Sequence, residues 1–321
     1  MNILIVGLGS IGSVHAINAN KYSNISVADN DKAKADTFAK RHECVSYGDD
    51  LEEAFSHKFD GIIIATPNKQ HIEIATKAIK SGADVLIEKP ISHSVKDVQN
   101  FLDYAKKINR KVYVVCNMRF HPAVKILHNN LYKIGKLYFA RAHFGNYLPN
   151  MRVGVDYRQL YVADKDEGGV ALDAIHELDY LSWMFGTAES IVSDSGRISE
   201  LQIDAEDYAS ILTRHESGVR SEVHLDYIRQ VKLRGCEISG SEGLLDWNSE
   251  GKSPEFCKIR IYTKSKGWET LLETKNLDSG SSMKELTKEF IVALQGRDNI
   301  LQTGDEALIL LKNTLKVRKH D

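Results

Sequence analysis

Three stretches of the chain carry residues whose types and spacing suit chemistry. In "DVLIEKPIS" (84–92), Lys89 sits between Glu88 and Pro90 immediately after an apolar run, where a turn would ordinarily take Gly, Asn, Asp or Ser. In "GGVALDAIHELDYLSWMFG" (168–186), one continuous helix at about 100° per residue would bring Asp173, His176 and Tyr180 into one narrow arc, with Ile175, Leu178, Leu181 and Phe185 opposite. In "VGLGSIG" (6–12), Gly7, Gly9 and Gly12 have the GxGxxG spacing. An ammonium beside a reacting oxygen stabilises a developing alkoxide. An imidazole held by a carboxylate three residues earlier is a candidate general base. Bland readings stand beside these: a lysine whose stem runs from a strand end to water, and an N-capping Asp173 followed by a surface histidine.

The glycines have the context that their chemistry requires. The apolar run "ILIV" precedes them, a helical pattern follows, and Asp29 closes the second strand. The first glycine permits a tight turn, the second a close approach of backbone to pyrophosphate, and the third close packing of helix on strand. The unpaired N–H groups of the helix start suit phosphate. An acidic Asp29 accepts from ribose hydroxyls and repels a 2′-phosphate, and Asn30 beside it is neutral. NAD is therefore expected over NADP. A glycine turn followed by an aspartate that merely caps the next helix ("DNDKAKA") is the plainer alternative.

The elements that position these residues fall into two groups. The runs at 3–6, 25–29, 44–47, 61–65, 84–88 and 112–116 read as six strands alternating with amphipathic helices. Uninterrupted apolar runs indicate strands covered on both faces, hence a doubly wound parallel sheet ending near residue 118. Beyond it, period-two segments such as "KLYFARAHFG", "VRSEVHLDYI" and "KIRIYTKS" predict a mostly antiparallel sheet, and two helices close the chain. The expected organisation is α/β, with a nucleotide-binding domain over 1–118 and a second α/β domain on an open sheet over 119–321.

In a sheet of order 3-2-1-4-5-6, the carboxyl ends of strands one, four, five and six share a crevice. That gathers the glycine turn, "ATPNKQH" (65–71), "EKP" (88–90) and "CNMRFHP" (116–122). Candidate cofactor contacts are therefore Gly7, Gly9, Ser10, Ile11, Gly12, Asp29, Thr66, Pro67, Asn68, His71, Glu88, Lys89 and Asn117. Arg119 after strand six, and Tyr147, Tyr157, Arg158 and Tyr161 in "YLPNMRVGVDYRQLY", suit an anionic or hydroxyl-rich ligand. With Lys89, Asp173 and His176 they form the candidate substrate contacts, although a solvated basic loop has the same composition.

Taken together, GLGSIG, ATPNKQH, EKP and the GG-x-x-L-D…H-E-x-D stretch resemble the Gfo/Idh/MocA oxidoreductase family over nearly the whole chain. The resemblance implies a Rossmann domain followed by a domain whose open sheet builds homodimers or homotetramers. It also implies NAD(P)-dependent oxidation or reduction of a secondary alcohol in sugars, sugar derivatives or sugar nucleotides. The EKP lysine, Lys89, and the helix histidine, His176, would be the catalytic pair, with Asp173 orienting His176. The chain departs from the family pattern in two places: Asp173 precedes His176 by three residues rather than four, and Glu167-Gly168-Gly169 replaces a triple glycine. A catalytically silent NAD(P)-binding regulator of the same fold is the alternative, which an intact Lys89/His176 pair disfavours.

Composition removes other classes. A net charge of −2 with acids and bases interspersed leaves no basic footprint for nucleic acid. No run approaches the roughly 18 apolar residues of a membrane span. The twelve histidines show no HxH or HxxxH spacing, and the four cysteines no CxxC, so no metal site is expected. Scattered cysteines and a strand starting right after Met1 fit a cytoplasmic protein without a targeting peptide.

Overall fold

The computed structural model describes residues 1–152, 154–278 and 280–318. In chain order, the first part runs β1 (Asn2–Val6), α1 (Ser10–Ala19), β2 (Asn24–Ala28), α2 (Lys32–His42), β3 (Val45–Ser46), α3 (Leu51–Ser56), β4 (Gly61–Ile64), α4 (His71–Lys80), β5 (Asp84–Ile87), α5 (Val95–Lys107) and β6 (Val112–Val114). Then come α6 (Pro122–Asn130), β7 (Leu137–Gly145), α7 (Val170–Asp173), α8 (His176–Phe185) and β8 (Ala188–Gly196). Strands β9 (Tyr208–His215), β10 (Arg220–Asp226), β11 (Leu233–Gly240), β12 (Gly243–Glu250), β13 (Glu255–Thr263) and β14 (Gly267–Leu277) follow. The chain closes with α9 (Ser281–Leu294), β15 (Gln302–Thr303) and α10 (Gly304–Val317).

Two compact units result, one from Met1–Asn117 with Ser281–Leu311, the other from Met118–Gly280 with the chain from Lys312 on. The first is built on a sheet of order β15-β6-β5-β4-β1-β2-β3, parallel except for the antiparallel β15. The expected order is present, extended by one strand. Its central strands are mostly apolar because helices cover both faces: Ile62, Ile63 and Ile64 of β4 are all fully buried. Three of its helices begin where side chains satisfy their first N–H groups. Asp31 accepts from the Lys34 amide to start α2, Asp50 from that of Glu53 to start α3, and Ser94 from that of Asp97 to start α5.

A single boundary after residue 118 assigns the closing helices to the second domain, and here the structure differs. Residues 281–311 return to the first unit. Phe290 of α9 is fully buried and packs edge-to-face on Tyr113 of β6, with ring centroids 6.2 Å apart. Gln302 of β15 pairs with Val114 at the edge of the same sheet. The apolar stripe of α9 shows that the helix covers a core, but periodicity does not say which core.

The second unit carries an eight-stranded sheet of order β14-β13-β12-β11-β7-β10-β9-β8, antiparallel except for the β7–β10 pair. One face packs inward, with Trp247, Tyr227 and Ile259 at most 1% exposed. The other leaves Val192, Leu212 and Phe139 exposed. Strands β8, β12 and β14 were not legible in the sequence, and β8 and β14 are edge strands with few buried positions to mark an alternation.

Replacing Phe290 with Ala is expected to destabilise the first unit by about 3–5 kcal/mol, the range for emptying a buried aromatic site. Urea unfolding followed by the fluorescence of bound NADH checks it.

Candidate active site

At the carboxyl end of β1, Gly7 has φ +90, and a Cβ there would lie 2.7 Å from the Ala65 carbonyl oxygen. A Cβ on Gly12 would overlap the Gly7 carbonyl, so α1 lies against the turn as closely as backbone allows. Gly9 faces open space, with nothing within 4 Å of an added Cβ. That space belongs to a cleft of about 280 Å³ lined by Gly7, Gly9, Asp29, Asn30, Lys34, Thr66 and Pro67, among others. Thr66 contributes a buried hydroxyl that has no hydrogen-bond partner. An open glycine turn at a helix start, a carboxylate at the far end and an unsatisfied hydroxyl between them fit a dinucleotide. Ser10 and Ile11 open α1 with exposed side chains.

Asp29 is 7% exposed and rigidly held. Its Oδ2 accepts from the Leu8 amide at 2.6 Å and from Lys34 Nζ at 3.2 Å, and its Oδ1 accepts from the Asp31 amide at 3.0 Å. Burial alone would raise its pKa, but the two amides and Lys34 outweigh burial and hold the carboxyl below its ordinary value. It therefore stands as a ready acceptor for ribose hydroxyls at neutral pH.

The turn after β5 is held equally firmly. Glu88 Oε1 lies 3.0 Å from His15 Nε2, and Glu88 Oε2 accepts from the backbone N–H of Lys89 at 3.1 Å. His15 is fully buried, and its Nδ1 lies 3.2 Å from Thr287 Oγ1 on α9. Glu88 was expected to contact the cofactor, but both its oxygens are engaged within the protein. The Lys89–Pro90 peptide is cis, and Lys89 is half-buried.

His71 also differs from the expectation of a cofactor contact. It is 1% exposed, with Nδ1 3.0 Å from the Pro90 carbonyl and Nε2 2.8 Å from the Thr66 carbonyl. Asn68 is buried beside it, and Asn117 Nδ2 donates to Ser282 Oγ at 3.3 Å.

A sequence model described as the oxidoreductase family with NAD-binding Rossmann fold, GFO_IDH_MocA, matches residues 1–116, and that of the GFO/IDH/MocA C-terminal domain matches 132–246. The chain belongs to the Gfo/Idh/MocA oxidoreductases. It is an NAD-binding oxidoreductase with the two-sheet architecture of that family. It is 29% identical over 285 residues to an uncharacterized oxidoreductase from Synechocystis, covering 82% of this chain and 75% of that protein. Identity is 25% over 293 residues to the trans-1,2-dihydrobenzene-1,2-diol dehydrogenase of Macaca fuscata fuscata, covering 87% and 84%. Among solved structures, the UDP-N-acetylglucosamine 3-dehydrogenase GnnA from Acidithiobacillus ferrooxidans has the same fold, with TM-score 0.80 at 18% identity over 99% of this chain and 96% of that one.

In the second unit of this Gfo/Idh/MocA protein, the stretch expected as one helix is two. Helix α7 ends at Asp173, the backbone bends at Ala174 (φ −92, ψ 32), and α8 starts at His176. Asp173 and His176 therefore flank a bend, and the single arc read from helical period does not apply. Tyr180 is fully buried rather than on a ligand face. Asp173 Oδ1 accepts from Tyr161 OH at 2.7 Å. Tyr147 is half-buried just before the turn at 148–150. Tyr157 OH accepts from the Gln202 amide, and the exposed Arg158 is bonded to Asp156 and Gln202.

Arg119 requires the plainest correction. It is 3% exposed, and its Nε and Nη2 both donate to the Asp179 carboxylate, at distances down to 2.7 Å. A guanidinium engaged in this way by a buried carboxylate braces α8, a role that the loop position alone does not suggest. His15 carries no functional signal of its own in the sequence, because a histidine inside the helical run "SIGSVHAINA" looks like any surface polar residue. Its place among the inward-facing Gly12, Ala16 and Ala19 was the available signal. Among the described residues, no group of acidic, histidine or cysteine side chains could hold a metal ion, and no helix is long and apolar enough to cross a membrane.

Replacing Asp29 with Asn is expected to weaken NAD binding by about 10- to 100-fold, the equivalent of one or two hydrogen bonds to a charged group. Fluorescence titration with NADH measures it directly.

Proposed function

We propose that this protein is an NAD-dependent dehydrogenase that moves hydride between the nicotinamide and a secondary alcohol of a sugar, a sugar derivative or a sugar nucleotide. The observation that carries the reading is the anchored turn at Lys89. Its neighbour Glu88 is tied down by His15 and by the Lys89 amide, at the carboxyl edge of the sheet that bears the dinucleotide cleft. Such anchoring aims a flexible stem and limits the places its ammonium reaches.

Bound NAD supplies the hydride acceptor. The cleft residues Gly7, Gly9, Asp29, Thr66 and Pro67 hold it, and the protein's own groups manage the proton. Lys89 stabilises negative charge developing on the substrate oxygen and lowers the alcohol's pKa. His176 removes the hydroxyl proton as general base and returns it in the reverse direction. Asp173, already accepting from Tyr161, orients the imidazole and favours its charged form. Tyr147, Tyr157, Arg158 and Tyr161 offer hydroxyl and guanidinium donors to an oxygen-rich ligand. The diol and sugar-nucleotide activities in the names of the similar proteins support a polyhydroxylated substrate. The exposed apolar residues on the open sheet face suit burial in a homodimer or homotetramer, and four free cysteines suit the reducing cytoplasm.

Single-turnover reduction of bound NAD on a panel of free sugars, diols and UDP-sugars tests the activity. Binding of NAD with no reduction by any of them would favour a silent cofactor-binding regulator. Lys89→Met is expected to leave NAD affinity nearly unchanged and to lower turnover by roughly 10²-fold or more. In His176→Ala, the acid limb of the pH–rate profile for oxidation should flatten, because an imidazole base loses activity as it protonates at falling pH. An unchanged profile removes His176 as the base.

A further inference from the structure

The first unit contains a buried titratable group that neither cofactor binding nor proton transfer uses. His71 opens α4 and is 1% exposed, and both its ring nitrogens face backbone carbonyls. Nε2 lies 2.8 Å from the oxygen of Thr66, in the loop after β4 that lines the NAD cleft. Nδ1 lies 3.0 Å from the oxygen of Pro90, in the turn after β5 that carries Lys89. Those two segments are joined along the chain only through the whole of α4 and β5. The imidazole is a direct strut between them.

We propose that His71 is a positioning residue that ties the cofactor loop at Thr66 to the lysine turn at Pro90, so that the nicotinamide side of the cleft and the Lys89 stem keep a fixed relation. The role assigned to Lys89 under the proposed function is the premise of its last clause. The bonding arrangement itself does not depend on that premise.

Chemistry separates this role from simple core filling. Carbonyl oxygens only accept, so a contact is a hydrogen bond only where the ring nitrogen carries hydrogen: the charged ring donates to both loops, and the neutral ring donates to one and packs its other edge against the second. Burial opposes that charge and holds the His71 pKa below its ordinary value, while the Thr66 and Pro90 carbonyls and Glu88 act in the opposite sense. The same turn is gripped from its other side by His15 through Glu88. The segment bearing Lys89 is thus held by two buried histidines from two different helices, one on a side chain and one on a carbonyl.

Two isosteric variants divide the strut. The amide nitrogen of Gln falls near Nε2, so His71→Gln keeps a donor for Thr66 and loses the one for Pro90. The amide nitrogen of Asn falls near Nδ1, so His71→Asn keeps Pro90 and loses Thr66. Two readouts need no substrate: NADH titration, and amide hydrogen exchange over residues 66–70 and 89–94. Where Nε2 carries the ring hydrogen, His71→Asn should weaken NADH binding and accelerate exchange at 66–70 by about fivefold each, with 89–94 unchanged, as one lost hydrogen bond dictates. Where Nδ1 carries it, His71→Gln should leave NADH affinity within about twofold and accelerate exchange at 89–94 by about fivefold. Equal effects of the two variants on both segments, or none on either, overturn the proposal. Should both variants fail to fold, nitrogen-15 spectra of the wild-type ring decide. A ring N–H with a scalar coupling across the hydrogen bond to the carbonyl carbon of Thr66 or Pro90 supports the strut, and a ring N–H coupled to neither refutes it. None of these results depends on turnover, so failure of the Lys89 assignment, read from Lys89→Met, is separately visible.

Discussion

The carboxylate of Glu88 has very little freedom. It stands at the end of a central strand with a side chain only 13% exposed, between an imidazole on one side and the next residue's own amide on the other. A carboxylate bonded to two N–H groups is worth more than its separate contacts, because leaving either would strand a buried donor. From this contact the geometry of the cofactor side of the molecule follows outward. His15 belongs to the helix that the glycine turn opens, and its other nitrogen meets Thr287 on α9, whose hydroxyl donates to the Met283 carbonyl. The turn for the diphosphate, the turn for the lysine and the closing helix are thereby joined through buried polar side chains.

The second unit holds its histidine by a different device. His176 begins α8, and the acidic residues that follow it are buried in ion pairs: Glu177 with Arg234 of β11 at 2.8 Å, and Asp179 with Arg119 at 2.7 Å. Carboxylates in the first turn of a helix suit its dipole. Each arginine also lies near an aromatic ring, Arg234 above Phe144 and Arg119 beside Trp183. Buried ion pairs of this kind add little net stability, but breaking one leaves an uncompensated charge, so they specify the orientation of α8 more than they hold the unit together.

Which of these features could be read from the residues alone follows from their range. The parallel strands are legible because most of them centre on an uninterrupted apolar run, and the glycine turn because two of its glycines admit no Cβ. The family resemblance carried the two-sheet architecture. Arg119 misled because a cationic residue past a sheet edge looks like a ligand contact, and its true partner lies 60 positions away. The bend at Ala174 left no trace because Ala, Ile and Leu continue a helical pattern with no Gly or Pro to interrupt it. His71 stands out in the sequence as a histidine at a useful position and His15 does not, and only coordinates show that their rings face carbonyls, a carboxylate and a hydroxyl.

The return of residues 281–311 to the nucleotide-binding unit bears on how the chain is made. While a ribosome extends it, the strand at 112–114 emerges with its outer edge unpaired, and the ring of His15 emerges without its threonine. His15 is completed only with Thr287 and the strand edge only with Gln302 and Thr303, by which time the intervening sheet is available to fold. An unpaired edge exposed that long invites strand exchange between neighbouring nascent chains, and truncated products would keep the defect permanently. The tail thus acts as a late latch, so that a chain cut short before it would present itself to cellular quality control as unfinished.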